Sequence, residues 1–296
     1  MKKLGRCLTA MVTPFKENGD VDYVQTKKLA KALLSSGNEG LVLAATTGEA
    51  PTLSWDEEMR IFTEVKGAVG DKPTLIAYTG SNSTKEAVEA TEKAEKIGVD
   101  ACLSVVPYYN RPNQEGIYQH FKAVSECTSL PIIMYNIPGR VVVNMTWETM
   151  ARLSQLKNIA GVKEANGDMG HVAQTINNTR KGFLIWSGND NDTFPIMALG
   201  GYGVIGVTTH LCGQQYRKMI DLIVADKIQE AAAIHRELVP LVNALFITSN
   251  PAPIKYALNY LGFKVGVPRL PLMPPTEKEG ERIIAELKKH TIDLKL

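Results

Sequence analysis

The sequence predicts a (β/α)8 barrel carrying a C-terminal helical extension, and three observations predict it. Eight short β-type runs alternate with longer amphipathic stretches, and several of those stretches open on helix-capping signals. After the eighth run the alternation stops and only helical patterns follow. Strand then helix, repeated, requires parallel strands joined by crossovers. Eight such units in roughly 225 residues suit a closed barrel better than an open doubly wound sheet. The expected division is therefore a barrel over 1–225 and a helical extension over 226–296.

The β-type runs are CLTAMV (7–12), GLVLAAT (40–46), PTLIAYT (73–79), ACLSVV (101–106), PIIMYNI (131–137), IAGVKEA (159–165), FLIWSG (183–188) and GVIGVT (203–208). Between them, Ser54-x-x-Glu57 and Ser83-x-x-Glu86 fit the capping box, and Thr146 stands before WETMARLSQL. Beyond the eighth run, DLIVADKIQEAAAIHRELVPLVNALF, PAPIKYALNYLGF and TEKEGERIIAELKKH read as three helices. The last has its own box, Thr276-x-x-Glu279, behind prolines at 268, 271, 274 and 275. Residues 201–206, GYGVIG, match G-x-G-x-x-G literally, but they enter a strand instead of leaving one for a helix. The nucleotide-binding reading fails on that context, and a tight turn at the far face of the barrel replaces it.

Composition narrows the function classes. Of 296 residues, 44% are hydrophobic and 22% charged, as in ordinary globular chains, and the net charge of +2 gives no case for nucleic acid or an acidic membrane. The N-terminal MKKLGRCLTAMVTPF begins like a signal peptide, yet Gly5, Arg6 and Pro14 interrupt it, so it reads as a first strand. No apolar run reaches the ~20 residues of a membrane span, and a cytoplasmic location is expected. The four cysteines and five histidines form no CxxC, HxxxH or HExxH spacing. Neither a disulfide framework nor a metal site is signalled.

In such a barrel, catalytic groups gather at the C-terminal ends of the strands and in the loops beyond. The unusual polar residues fall there: Thr46-Thr47-Gly48-Glu49 after the second run, PYYNRP after the fourth, Tyr135 to Arg140 after the fifth, Lys163-Glu164 ending the sixth, and Ser187 to Asp190 after the seventh. Lys163 interrupts an apolar run. One reading is a lysine whose ammonium snorkels to water. The other is a desolvated, neutral amine, which is a nucleophile for a carbonyl carbon. Alternation along the strand puts Lys163 on the face of Gly161, which could leave space beside it, and sends Glu164 to the opposite face. Tyr135 is either an amphipathic ring at the barrel mouth or a phenol that passes protons. The two threonines are simple turn chemistry or an uncharged carboxylate cradle. Arg140, after a Pro-Gly turn, is a solvated arginine or a bidentate carboxylate grip.

Taken in order, VTPF, TTGEAPTLS, PYYNRPNQEGIYQHF, PIIMYNIPGR, GVKEANGD and SGND resemble the pyruvate-dependent class I aldolase superfamily and, within it, the dihydrodipicolinate synthase family. The resemblance implies that Lys163 forms an imine with pyruvate, that Thr46 and Thr47 hold its carboxylate, and that Tyr135 shuttles protons with Thr47 and Tyr109 completing the relay. It implies that Arg140 receives the carboxylate of L-aspartate 4-semialdehyde and that Gly188 and Ile205 line the pocket through their backbone. It further implies no metal or organic cofactor, and a homotetramer in which Tyr109 reaches in from a neighbouring subunit.

The chain departs from the family pattern in places. Ala45 replaces the usual glycine before the threonines, and THLCG (209–213) differs from the usual run, so His210 is given no role. At the family's lysine-inhibition site, Asn82 and Glu86 fit. Ala50, Trp55 and Glu58 depart from an enterobacterial pattern of serine and two histidines, and weak or absent inhibition is expected. Two alternatives compete: a sister pyruvate lyase acting on N-acetylneuraminate or a keto-deoxy-sugar acid, which Arg140 argues against, and a barrel that has lost catalysis and only binds.

Overall fold

The structure, a computed structural model, describes residues 3–295. Eight parallel strands close on themselves in chain order: β1 (Cys7–Ala10), β2 (Gly40–Leu43), β3 (Thr74–Tyr78), β4 (Ala101–Val105), β5 (Ile132–Asn136), β6 (Ile159–Glu164), β7 (Leu184–Ser187) and β8 (Gly203–Gly206). β8 returns to β1, pairing Ile205 with Leu8. The strands are buried almost throughout, as parallel strands covered by helices must be.

The covering helices are α1 (Tyr23–Ser35), α2 (Trp55–Val69), α3 (Thr84–Ile97), α4 (Gln114–Glu126), α5 (Pro138–Val141), α6 (Trp147–Leu153), α7 (Met169–Asn178), α8 (Thr193–Ala198) and α9 (Thr209–Val224). The extension is α10 (Ile228–Leu245), α11 (Ala252–Tyr260) and α12 (Glu277–Leu287). α2 shows why these segments are helices: Ser54 caps it with a reciprocal box to Glu57, and Glu58, Ile61, Phe62 and Val65 form one buried face at helical spacing. Thr276 and Glu279 make the same box at α12. At α3 only half of the expected box forms. Ser83 accepts from the Glu86 amide, but the Glu86 carboxylate takes the Ser81 hydroxyl at 2.7 Å instead.

The structure refines the sequence reading at three points. The run 221–246 is two helices, because Asp226 adopts a left-handed φ of 57° and the Lys227 amide closes back onto the Leu222 carbonyl. β2 stops at Leu43, since Ala44 turns to φ 50° and starts the Thr46–Glu49 turn. Gly161 leaves no space beside Lys163: a Cβ there would sit 2.0 Å from the Leu184 carbonyl oxygen, so this glycine serves the close approach of β6 and β7. Of the GYGVIG glycines, Gly201 and Gly203 act in the same way at the N-terminal end of β8, against Ile196 and the Arg6 backbone; the preceding Gly200, at φ 108°, makes the turn, and Gly206 lies at the other end of the strand beside Asp190.

That N-terminal end is plugged. Trp186 Nε1 donates to the Gly5 carbonyl (3.0 Å), and Glu39 Oε2 accepts from the Arg6 and Cys7 amides. A cleft of about 730 Å³ lies there, lined by Arg6, Glu39, Lys72, Tyr202 and Arg217 among others. It is roomy, but the buried Lys163, Tyr135 and Asp190 lie at the opposite end. Among the described residues no helix is long and apolar enough to cross a membrane.

Candidate active site

Lys163 stands near the C-terminal end of β6, level with Tyr135 on β5 and Trp186 on β7. Its side chain is 4% exposed, and its Nζ lies 4.3 Å from the centroid of the Tyr135 ring. Burial brings its pKa from the usual 10.5 down to about 7; the Asp190 carboxylate opposes that shift and the Arg140 charge adds to it. Among the described residues no carboxylate reaches it as an ion-pair partner. The adjacent Glu164 is turned to the outer face, where it accepts from Asn136 Nδ2 (2.9 and 3.1 Å) and the Asn166 amide and faces His171 at 3.4 Å.

The space beside the lysine comes from Gly188. A Cβ there would meet Lys163 Cγ at 3.1 Å and Ala165 Cβ at 2.9 Å, so a side chain at this position would push into the amine's stem. Tyr135 is buried, and desolvation raises its pKa to about 12 against the lowering effects of Arg140 and a hydroxyl contact from Thr46. The phenol is therefore a protonated donor throughout the neutral range.

The Thr46–Glu49 turn is closed on itself by hydrogen bonds from the Glu49 amide to the Thr46 carbonyl and from the Ala50 amide to the Ala45 carbonyl, both 3.1 Å. Gly48 is required there, because a Cβ would fall 2.7 Å from Ala44 Cα. The two threonine hydroxyls are differently placed. Thr46 is the one beside Tyr135, whereas Thr47 Oγ1 accepts from Asn250 Nδ2 at 3.0 Å and keeps its own proton to donate. The Asn250 carbonyl accepts from Arg140 Nη2 at 3.2 Å, so one residue of the extension tethers both Thr47 and the exposed Arg140 over the mouth.

Three further groups shape the site without any sequence signal having assigned them. Asn250 is the first. Asp190, 2% exposed, accepts from the Val207 and Thr208 amides at 2.9 to 3.1 Å, which fixes the chain just after Ile205; its pKa is raised by burial, the amide bonds working against that. His210 is the third. Its Nε2 accepts from the Val12 amide (3.1 Å) and its Nδ1 donates to the Val207 carbonyl (2.7 Å), so it is a neutral staple, its pKa lowered by burial to about 4. The acidic SGND run and the THLCG segment flagged the places, not the partners.

Tyr109 does not join this cluster. It stands 90% exposed at φ 69°. Of the residues expected at a regulatory site, Ala50, Trp55, Glu58 and Glu86 line one cavity of about 200 Å³ together with Tyr78, Ser81 and Tyr108. Asn82 does not line it, and its carbonyl accepts from Asn110. Burial, with Glu57 nearby, raises Glu58 to about 9, and its Oε2 has no hydrogen-bond partner. No three His, Cys, Asp or Glu side chains among the described residues converge as a metal-binding set.

A family model for the dihydrodipicolinate synthetase family matches residues 3–290. A 4-hydroxy-tetrahydrodipicolinate synthase of Dehalococcoides mccartyi is 58% identical over 294 residues, covering 99% of each chain. Among solved structures, dihydrodipicolinate synthase DapA-2 of Bacillus anthracis superposes with a TM-score of 0.95 at 40% identity, over 98% of this chain and 99% of its own. The enzyme of Cyanidioschyzon merolae, solved with lysine bound, gives 0.95 at 43% identity, over 96% and 97%.

Proposed function

The chain belongs to the dihydrodipicolinate synthetase family, and from that premise we propose that it is a lyase condensing pyruvate with L-aspartate 4-semialdehyde to 4-hydroxy-tetrahydrodipicolinate, the entry step of diaminopimelate and lysine biosynthesis. The observation that carries the reading is Lys163: an amine near half-neutral at pH 7, buried against a protonated phenol at the C-terminal mouth of the barrel.

The Nζ lone pair adds to the ketone carbon of pyruvate, and loss of water leaves an iminium. That cation withdraws electrons from the neighbouring methyl group, which gives up a proton to form the enamine. The enamine carbon adds to the aldehyde carbon of the second substrate, and the new alkoxide takes a proton. The substrate's own amino group then attacks the imine carbon and expels Lys163, closing the ring. Tyr135 passes the protons; Thr46, the hydroxyl beside the phenol, replaces Thr47 as the first relay partner expected from the sequence, because Thr47 Oγ1 is tethered to Asn250. Thr46 and Thr47 hold the ketoacid carboxylate beside the lysine, and Gly188 and Ile205 bound the pocket. Arg140, held from behind by Asn250, leaves its remaining donors for the carboxylate of the incoming aldehyde. The covalent imine supplies the electron sink, so the reaction draws on no separate cofactor.

Tyr109 fits this scheme as a residue offered to a second copy, which its exposure supports, and the assembly proposed is a homotetramer in the cytoplasm. The 200 Å³ cavity is the candidate regulatory site. Glu58 presents it with a neutral carboxyl at pH 7, a poor counterpart for an ammonium ligand, which supports weak inhibition by lysine.

The test is a coupled assay with pyruvate and aspartate semialdehyde on the wild type and Lys163→Ala. Turnover lost only in the variant supports the reading. Faster turnover of N-acetylneuraminate or a keto-deoxy-sugar acid by the wild type overturns the substrate assignment.

A further inference from the structure

Glu49 is a buried acid with no part in the chemistry just described. It ends the Thr46–Gly48 turn in a left-handed conformation, φ 63° and ψ 37°, which a non-glycine residue holds only when its surroundings over-determine it. Those surroundings come from the far end of the chain. Glu49 Oε1 accepts from Lys255 Nζ of α11 at 2.6 Å, both side chains being 1% exposed, and Oε2 accepts from the Arg269 amide at 2.8 Å.

The two cations are themselves fixed. Lys255 Nζ also donates to the Val267 carbonyl (3.2 Å) and lies 4.0 Å from the Phe15 ring centroid. Arg269 sits 4.5 Å from the centroid of the same ring, with its guanidinium held by Glu57, the Thr52 carbonyl and the Gly19 carbonyl. On its other side the turn is pinned by Thr13 Oγ1 donating to the Gly48 carbonyl at 2.7 Å.

A desolvated ion pair adds little net stability relative to well-packed apolar side chains, because taking both charges out of water offsets their attraction. Its better-founded use is to fix geometry. Here it spans about 200 positions of sequence and ends one residue from Gly48. We propose that Glu49, clamped by Lys255 and the Arg269 amide, is a positioning residue that sets the Thr46–Thr47 turn at the spacing the ketoacid carboxylate needs. The helical extension is thus part of the pyruvate site. Neutralisation of Glu49 by Lys255 also keeps an uncompensated negative charge away from the place where an anionic substrate docks.

The inference rests on the reading of Thr46 and Thr47 as the carboxylate cradle, and its test separates the two. Steady-state constants and melting temperatures are measured for Glu49→Gln, Lys255→Met and the double variant, with borohydride trapping at saturating pyruvate as a separate readout. The pyruvate KM should rise roughly tenfold in each single variant, since a displaced binding turn weakens capture, and kcat should fall as well, because the same turn carries Thr46 of the proton relay. The double variant removes both buried charges. Its melting temperature should recover toward wild type while its pyruvate KM stays raised, and should either single variant fail to fold, the double variant alone decides. A KM within twofold of wild type, or a KM that recovers together with the melting temperature, overturns the proposal and leaves the pair a structural contact. Failure of the wild type to trap pyruvate at all strikes the functional reading instead.

Discussion

Titrating the enzyme exposes the burial of Lys163 directly. The amine's pKa falls from 10.5 to about 7, which corresponds to about 5 kcal/mol of lost preference for the charged form. At pH 7 about half of the molecules then carry a neutral amine, against about 0.03% for a lysine in water, a gain in nucleophile of order a thousandfold. The neutral fraction falls to about a tenth one pH unit lower and reaches about nine tenths one unit higher. The matching assay is kcat/KM for pyruvate from acid to alkaline pH, which reports groups of the free enzyme. It should climb tenfold per unit on the acid side, bend near pH 7 and run level beyond, because Tyr135 holds its proton to about pH 12. A profile still climbing toward pH 10 would mean that Lys163 is solvated and ordinary, and the reasoning from burial would be wrong.

Other expectations follow from the same geometry. Because the folded protein binds fewer protons at Lys163 than the unfolded chain between pH 7 and 10.5, wild-type stability should rise with pH across that window. Lys163→Met should therefore melt above wild type near pH 6 and lose that advantage above pH 10, which calorimetry checks. Arg140→Ala should raise KM for aspartate semialdehyde about 10- to 100-fold, the worth of a lost charge-assisted contact, while imine trapping with pyruvate alone persists. Submillimolar lysine should leave the initial rate above half; stronger inhibition refutes the part given to neutral Glu58.

Much of this was legible in the sequence because it is local. A strand announces itself within six residues, a capping box within four, and Lys163 stood out because an ammonium in an apolar run has a desolvation cost to explain. What escaped depends on contacts between distant positions. Nothing near Asn250 marks it as the partner of Thr47, and nothing near Lys255 marks Glu49 as its counter-ion. Alternation within the strand points to Gly161 as the source of space beside the lysine, but neighbouring strands supply much of a barrel residue's surroundings, and Gly188, just past the end of β7, leaves the room. The break at Asp226 was hidden because apolar periodicity continues across it and only the backbone turns. The choice of Thr46 over Thr47 as Tyr135's neighbour is a matter of which way two adjacent side chains point out of a turn, and no pattern of residue types records that.

The most direct measurement is peptide mass spectrometry after borohydride reduction of the enzyme with pyruvate. One reduced-imine adduct, carried by the peptide that holds Lys163, is the predicted result. An unmodified protein, or an adduct carried by any other lysine, contradicts the account.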